Sequence, residues 1–254
     1  MAAWEQLKSV TKQVAGRYGL TVDRTGVYWP ATPLRVGGLT YAQVRPVATY
    51  SPWRSDPDFT AFMEYVRPNT LVDELRCWEL WQLVPQLLHV PGSILEVGVW
   101  RGGTGAILAK RAEGSGKSVF LCDTFEGVVK TSAEDSSYNG GEHADTSVAI
   151  VETLLRKTGL HADIVKGIFP DDCLERMKDE QFCFVHVDVD VYRSAQEVVS
   201  YVWPKMPLGA VLVFDDYGFE TCDGIARLVD AYRPRPDMHV IHNLNGHAIV
   251  VKIA

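Results

Sequence analysis

Two rhythms of apolar positions run along the chain, and they change over near residue 90. From Ser93 onward, short β-branched apolar runs alternate with stretches of helical spacing. The predicted strands are 93–99 (SILEVGV), 118–123 (SVFLCD), 162–167 (ADIVKG), 183–190 (CFVHVDVD) and 210–216 (AVLVFDD). Helices are predicted at about 103–113, 147–158, 171–180, 193–203 and 221–232. Such alternation implies a parallel sheet covered on both faces. The ending breaks the rhythm: residues 238–253 (MHVIHNLNGHAIVVKI) are two strand-like runs around Asn245-Gly246, a hairpin signal. The expected fold is α/β, with a seven-stranded, mostly parallel sheet finished by a C-terminal antiparallel hairpin.

Upstream, residues 71–88 (LVDELRCWELWQLVPQLL) have helical spacing, with Asn69–Thr70 before them as the N-cap. A helix is expected at about 4–18, and the rest of 1–68 reads as irregular, rich in Pro, Gly and aromatic residues. The expected organisation is therefore an N-terminal helical and irregular extension, 1–68, serving as lid, oligomer contact or acceptor-shaping region, followed by one domain over 69–254. No repeat or low-complexity tract interrupts it.

Composition narrows the class. The chain has 254 residues, 46% of them hydrophobic, which suffices for one large core. Its net charge of −7 argues against a general basic surface for nucleic acid. Five cysteines without C-x-x-C spacing, two of them (Cys122 and Cys183) inside strand-like runs, read as reduced core thiols. The start of the chain shows no signal-peptide pattern, and no stretch is long and apolar enough to span a bilayer. The expectation is a cytoplasmic, soluble protein.

Ligands of open α/β sheets bind outside the carboxyl ends of the strands, and the informative residues lie there. The first strand runs into LEVGVWRGGTG (95–105), whose glycines let the backbone approach a ligand closely. The dinucleotide pattern G-x-G-x-x-G lacks its second glycine here. The looser E-x-G-x-x-x-G of S-adenosylmethionine sites fits, with Glu96 facing the cofactor's cationic methionine end; the alternative is a generic strand–helix turn. Asp123, ending the second strand, is an acceptor suited to a ribose diol, or else a turn residue. Gly167 and Ile168 after the third strand are placed to lie against an adenine, while Pro170-Asp171 reads as an ordinary helix start.

The fourth strand ends in Asp188 and Asp190, the fifth in Asp215 and Asp216. If the strands are neighbours, these carboxylates converge and need a cation, and oxygen donors favour Mg²⁺. Asp188 is expected both to ligate it and to accept a proton; Asp190 is read as the N-cap of the helix at 193–203 or as a neighbour of the ligands. HVDVDV also matches the nucleophile loop of haloacid-dehalogenase-type phosphatases, but the spacing of the later acids does not follow that pattern. His143 lies in a long loop, about 126–146, that is placed to cover a substrate. His186, His242 and His247 read as structural strand residues, and neither zinc spacing nor a hydrolase elbow is present.

Taken in order, LEVGVWRGGT, CDTFEG, VDVDVYRSA and VFDDYG resemble the macrocin O-methyltransferase family over roughly residues 68–254. The resemblance implies a class I methyltransferase (Rossmann-like) fold and Mg²⁺-dependent methylation of sugar hydroxyls on glycosylated antibiotics, with S-adenosyl-L-methionine as donor. Carried over by position, it implies cofactor contacts from Thr70, Glu96, Gly98, Trp100, Arg101, Gly102, Gly103, Asp123, Phe125, Gly167 and Asp188. Asp188, Asp215 and Asp216 become metal ligands, with Asp188 the base, and Arg76 is placed near the cofactor's carboxylate. It implies a small-molecule glycoside as partner and a homo-oligomer. Two other readings stay open: a catechol-type O-methyltransferase with the same site, and a nucleoside-binding protein without catalysis.

Overall fold

Seven strands carry the apolar runs read above. The computed structural model describes Thr11, Val14 and residues 21–23, 26–28, 33–44 and 48–254. The chain divides into two units, Met1–Arg45 and Pro46–Ala254, whereas the sequence reading places its boundary at 68/69. Among the described residues, the first unit holds two short antiparallel ribbons, β1 (Thr21–Asp23) with β2 (Gly26–Tyr28) and β3 (Leu34–Val36) with β4 (Leu39–Tyr41). The helix expected at 4–18 lies outside the described residues except for Thr11 and Val14, which are helical.

The first α-helix of the second unit, α1 (Pro57–Val66), falls where the sequence reading has irregular chain. Its signals are local. Asp56 caps it by accepting from Phe59 N–H, Pro57 starts it, and Phe59, Phe62, Met63 and Val66 bury one face. Phe59 meets the rings of Trp78 and Trp81, 5.0 and 5.5 Å away, on α2 (Glu74–Gln86). That helix starts later than expected. Its cap is Asp73, which accepts from Leu75 and Arg76 N–H, and not Asn69–Thr70.

The sheet follows as β5 (Ser93–Val97), β6 (Val119–Asp123), β7 (Asp163–Lys166), β8 (Phe182–Val187), β9 (Val211–Phe214), β10 (Met238–His242) and β11 (Ala248–Lys252). Its order is β10-β11-β9-β8-β5-β6-β7. The first five are parallel; β11 runs antiparallel to both β9 and β10. Helices α3 (Gly103–Ala112), α4 (Val148–Thr158), α5 (Leu174–Met177), α6 (Tyr192–Val202) and α7 (Asp223–Tyr232) connect them. The order reverses between β5 and β8, and that reversal opens the crevice where such sheets take ligands.

Several elements are shorter than expected, β5 and β9 among them. The helix expected at 171–180 is the single turn α5, because the chain from Ile168 to Cys173 is a tight turn in which Ile168 N–H donates to Asp172 Oδ2 at 2.8 Å. The fourth strand stops at Val187, not at residue 190. Asp188 N–H still pairs with Val97 C=O at 2.9 Å, but Asp190 adopts φ +63° and turns the chain into α6. All five cysteines are free and buried, and among the described residues no helix is long and apolar enough to cross a membrane.

Candidate functional site

Every strand end that flanks the reversal opens into one cavity of about 280 Å³. On the β5–β6–β7 side the wall is mostly backbone. Gly98 has φ +90°, and a Cβ there would stand 1.6 Å from Asp188 C=O, so only glycine lets the end of β5 lie against the end of β8. Asp123 knits the two loops beside it. Val99 and Trp100 N–H donate to its Oδ2 at 2.6 and 2.9 Å, and Phe125 N–H donates to Oδ1 at 2.6 Å. A carboxylate offers about four acceptor sites, so one remains for a ligand hydroxyl.

The residues expected to bind a cofactor separate into two groups. Thr70, Gly98, Trp100, Asp123, Gly167 and Asp188 line the cavity, as does Arg76. Arg101, Gly102, Gly103 and Phe125 do not. Arg101 instead pairs with Asp145 at 2.8 Å, and a Cβ on Gly103 would meet Asn69 C=O at 2.6 Å, so that glycine serves helix packing. Glu96 is wholly buried behind the wall, 2.9 Å from His186 Nδ1. It faces an imidazole, and not the cavity. Ile168 is also absent from the lining, and His242 is exposed.

The β8–β9 side is built of charges. Asp188, Asp215 and Asp216 each place an oxygen within 4.8 Å of the others. They are not equivalent. Asp215 is the most heavily paired: its Oδ2 is bonded by the Arg76 guanidinium, and its Oδ1 lies 2.8 Å from His247 Nε2. Burial would raise its pKa, but the two histidines and Arg76 hold it well below the usual carboxylate range. Asp188 and Asp216 go the other way, pushed up by burial and then by neighbouring carboxylates. Asp190, also pushed up by burial, accepts from Tyr138 O–H at 2.5 Å. It is not the cap of α6: Val191 holds that position, and Asp135 takes Tyr192 N–H at 2.8 Å. His186 and His247 are buried, each with its Nδ1 against a carboxylate. Burial lowers the His186 pKa, yet the Asp215 and Glu96 carboxylates outweigh it and raise it to about 9.

Over the opening runs the segment 126–146, expected as a cover. Gly127, Val128, Val129, Tyr138 and His143 face the cavity. The segment is tied down by Lys130 to Glu197, by Ser136 to Asp223 (2.8 Å) and by Asp145 to Trp100 Nε1 (2.9 Å). Tyr138, Phe219, Thr221 and Cys222 complete the wall and were not singled out from sequence. No local spacing announces them, because their partners stand far off along the chain. The cavity can thus hold a nucleoside-bearing ligand along the backbone side and neutralise a hard cation on the acid side. Arg76 cannot balance Asp188 and Asp216 in place of that cation, its charge being committed to Asp215 and Asp73.

Known proteins resemble this chain in sequence and in fold. The family described as Macrocin-O-methyltransferase (TylF) matches residues 68–248. Mycinamicin III 3''-O-methyltransferase of Micromonospora griseorubida is 29% identical over 184 residues, spanning 66% of this chain and 71% of that protein. Demethyldecarbamoylnovobiocin O-methyltransferase of Streptomyces niveus is 25% identical over 187 residues, 67% of this chain and 70% of its own. The solved structure of the O-methyltransferase NovP has a TM-score of 0.62 at 20% identity, covering 73% of this chain and 83% of that one. This last is a likeness of fold.

Proposed function

The chain belongs to the macrocin-O-methyltransferase family and is an O-methyltransferase, and from that premise we propose that it methylates a sugar hydroxyl of a glycosylated natural product, with S-adenosyl-L-methionine as donor and a divalent cation such as Mg²⁺. The acceptor class follows the relatives named for mycinamicin III and demethyldecarbamoylnovobiocin. The observation that carries the reading is the meeting, in one cavity at the strand-order reversal, of a glycine-built nucleoside wall and carboxylates lacking a free counter-charge.

When bound, the donor supplies a methyl group on a sulfonium, and the cation supplies a lower pKa for a hydroxyl beside it. The chain's own residues do the rest. Gly98, Asp123 and Gly167 seat the nucleoside, and Asp188, Asp215 and Asp216 would hold the cation, with Arg76 and His247 fixing the orientation of Asp215. Asp188, to which no described residue offers a hydrogen bond, receives the acceptor's hydroxyl proton as the new O–C bond forms and the C–S bond breaks. The segment 126–146 keeps donor and acceptor aligned and excludes water. We further propose a homo-oligomer working in the cytoplasm, the five buried free thiols suiting a reducing compartment. Thermal stabilisation by S-adenosylhomocysteine, but not by NAD, tests the donor; the reverse result removes it.

A further inference from the structure

We propose that His186, Asp215 and His247 form a second cation site, behind the carboxylates that face the cavity and suited to a borderline divalent transition metal such as Zn²⁺ or Co²⁺. One ligand atom from each of the three lies within 4.8 Å of the others, and all three residues are buried. In both rings the δ nitrogen is committed to a carboxylate. His186 Nδ1 is 2.9 Å from Glu96 Oε1, and His247 Nδ1 is bonded to Glu79 Oε2. That commitment turns both ε nitrogens toward one oxygen, Asp215 Oδ1, 2.8 Å from His247 Nε2 and 3.6 Å from His186 Nε2. His186 Nε2 has no hydrogen-bond partner although it is wholly buried.

An unpaired polar atom in the interior needs an explanation, and a ligand lone pair is one, set free when the cation displaces the ring proton to solvent. A carboxylate on the far ring nitrogen is the usual means of orienting a metal-binding imidazole, and here it occurs twice. Two imidazole nitrogens with one carboxylate oxygen form a donor set for Zn²⁺ or Co²⁺, whereas Mg²⁺ prefers oxygen alone. Arg76 does not stand in the way of this set, because it bonds Oδ2 and leaves Oδ1 to the two histidines. The ligands come from β8, from the residue after β9 and from the residue before β11, three neighbouring strands. An ion there would staple the C-terminal hairpin to the centre of the sheet.

The full-length protein, stripped of metal, is titrated with Co²⁺ while visible absorption is recorded. The expected result is the intense d–d bands of a low-coordinate, nitrogen-containing site in the wild type and in D188N. The bands should be lost, with affinity at least about tenfold weaker, in H247Q. E79Q, which keeps His247 but removes its orienting carboxylate, should weaken Co²⁺ by about 10–100-fold. Should H247Q fail to fold, E79Q and X-ray absorption of the Zn²⁺-loaded wild type still decide, the latter through a shell with two imidazoles. No Co²⁺ binding, bands that survive in H247Q or vanish in D188N, or an all-oxygen Zn²⁺ shell would overturn the proposal. None of these readouts depends on whether methyl transfer needs Mg²⁺.

Discussion

The two walls of the cavity are made in opposite ways. The β5–β6–β7 wall is backbone: glycines admit close approach, and one side chain, Asp123, gathers three N–H groups into a fixed loop pair. The β8–β9 wall is side chains, and its charges are balanced by residues remote in sequence, Arg76 on α2, Tyr138 on the covering segment and His247 beside β11. A backbone wall holds its shape whether or not a ligand is present. A charged wall depends on every partner, so unequal pairing leaves Asp188 and Asp216 in surplus while the charge of Asp215 is offset by Arg76 and the histidines. Damage to the first wall should therefore appear as lost cofactor affinity, and damage to the second as lost turnover.

The largest effect is expected at Asp188. D188N should lower kcat by about 10²- to 10⁴-fold, the range of general base catalysis, while stabilisation by S-adenosylhomocysteine persists. Equal loss of both would erase the distinction between the walls. D123N is expected to do the reverse, because an amide nitrogen turned toward N–H donors loses charge-assisted bonds of about 1.5–3 kcal/mol each. S-adenosylhomocysteine binding should weaken by roughly 10-fold or more, measured by calorimetry, with kcat at saturating donor much less affected.

A smaller effect concerns the covering segment. Burial tends to raise the Asp223 pKa, but the bonds from Ser136 and Arg227 lower it below the ordinary value. A depressed carboxylate stabilises the folded state above its unfolded pKa of about 3.9, and that contribution is lost as pH falls through the folded value. Hydrogen exchange at residues 132–138 should accordingly quicken as pH is lowered below about 4, after correction for intrinsic rates. D223N should flatten this dependence, whereas an unchanged profile would mean that the segment is held by its other ties.

The same contrast governs what the sequence disclosed. Strand and helix order, the closing hairpin, Gly98 and the acid pairs at the ends of β8 and β9 were legible because each is announced by local periodicity or by a glycine. Helix α1 is equally announced, by Asp56, Pro57 and the spacing of Phe59, Phe62, Met63 and Val66, but the prolines around it mask the signal. Pairing across the fold was not legible. Nothing near Glu96 says that it faces His186, nothing near Asp190 says that Tyr138 rather than α6 takes its oxygen, and nothing in VFDDYG separates Asp215 from Asp216. Such assignments depend on which elements meet in space, and neighbouring identical residues acquire different chemistry from partners more than 50 positions away.

In the proposed reaction the acid wall is the centre of methyl transfer. Its most direct test is transfer of labelled methyl from S-adenosylmethionine to a glycosylated acceptor, followed through chelation by EDTA and readdition of Mg²⁺. The predicted result is loss of transfer on chelation and recovery with Mg²⁺ in the wild type, with no recovery in D188N. Transfer indifferent to EDTA, or restored equally in D188N, would contradict it.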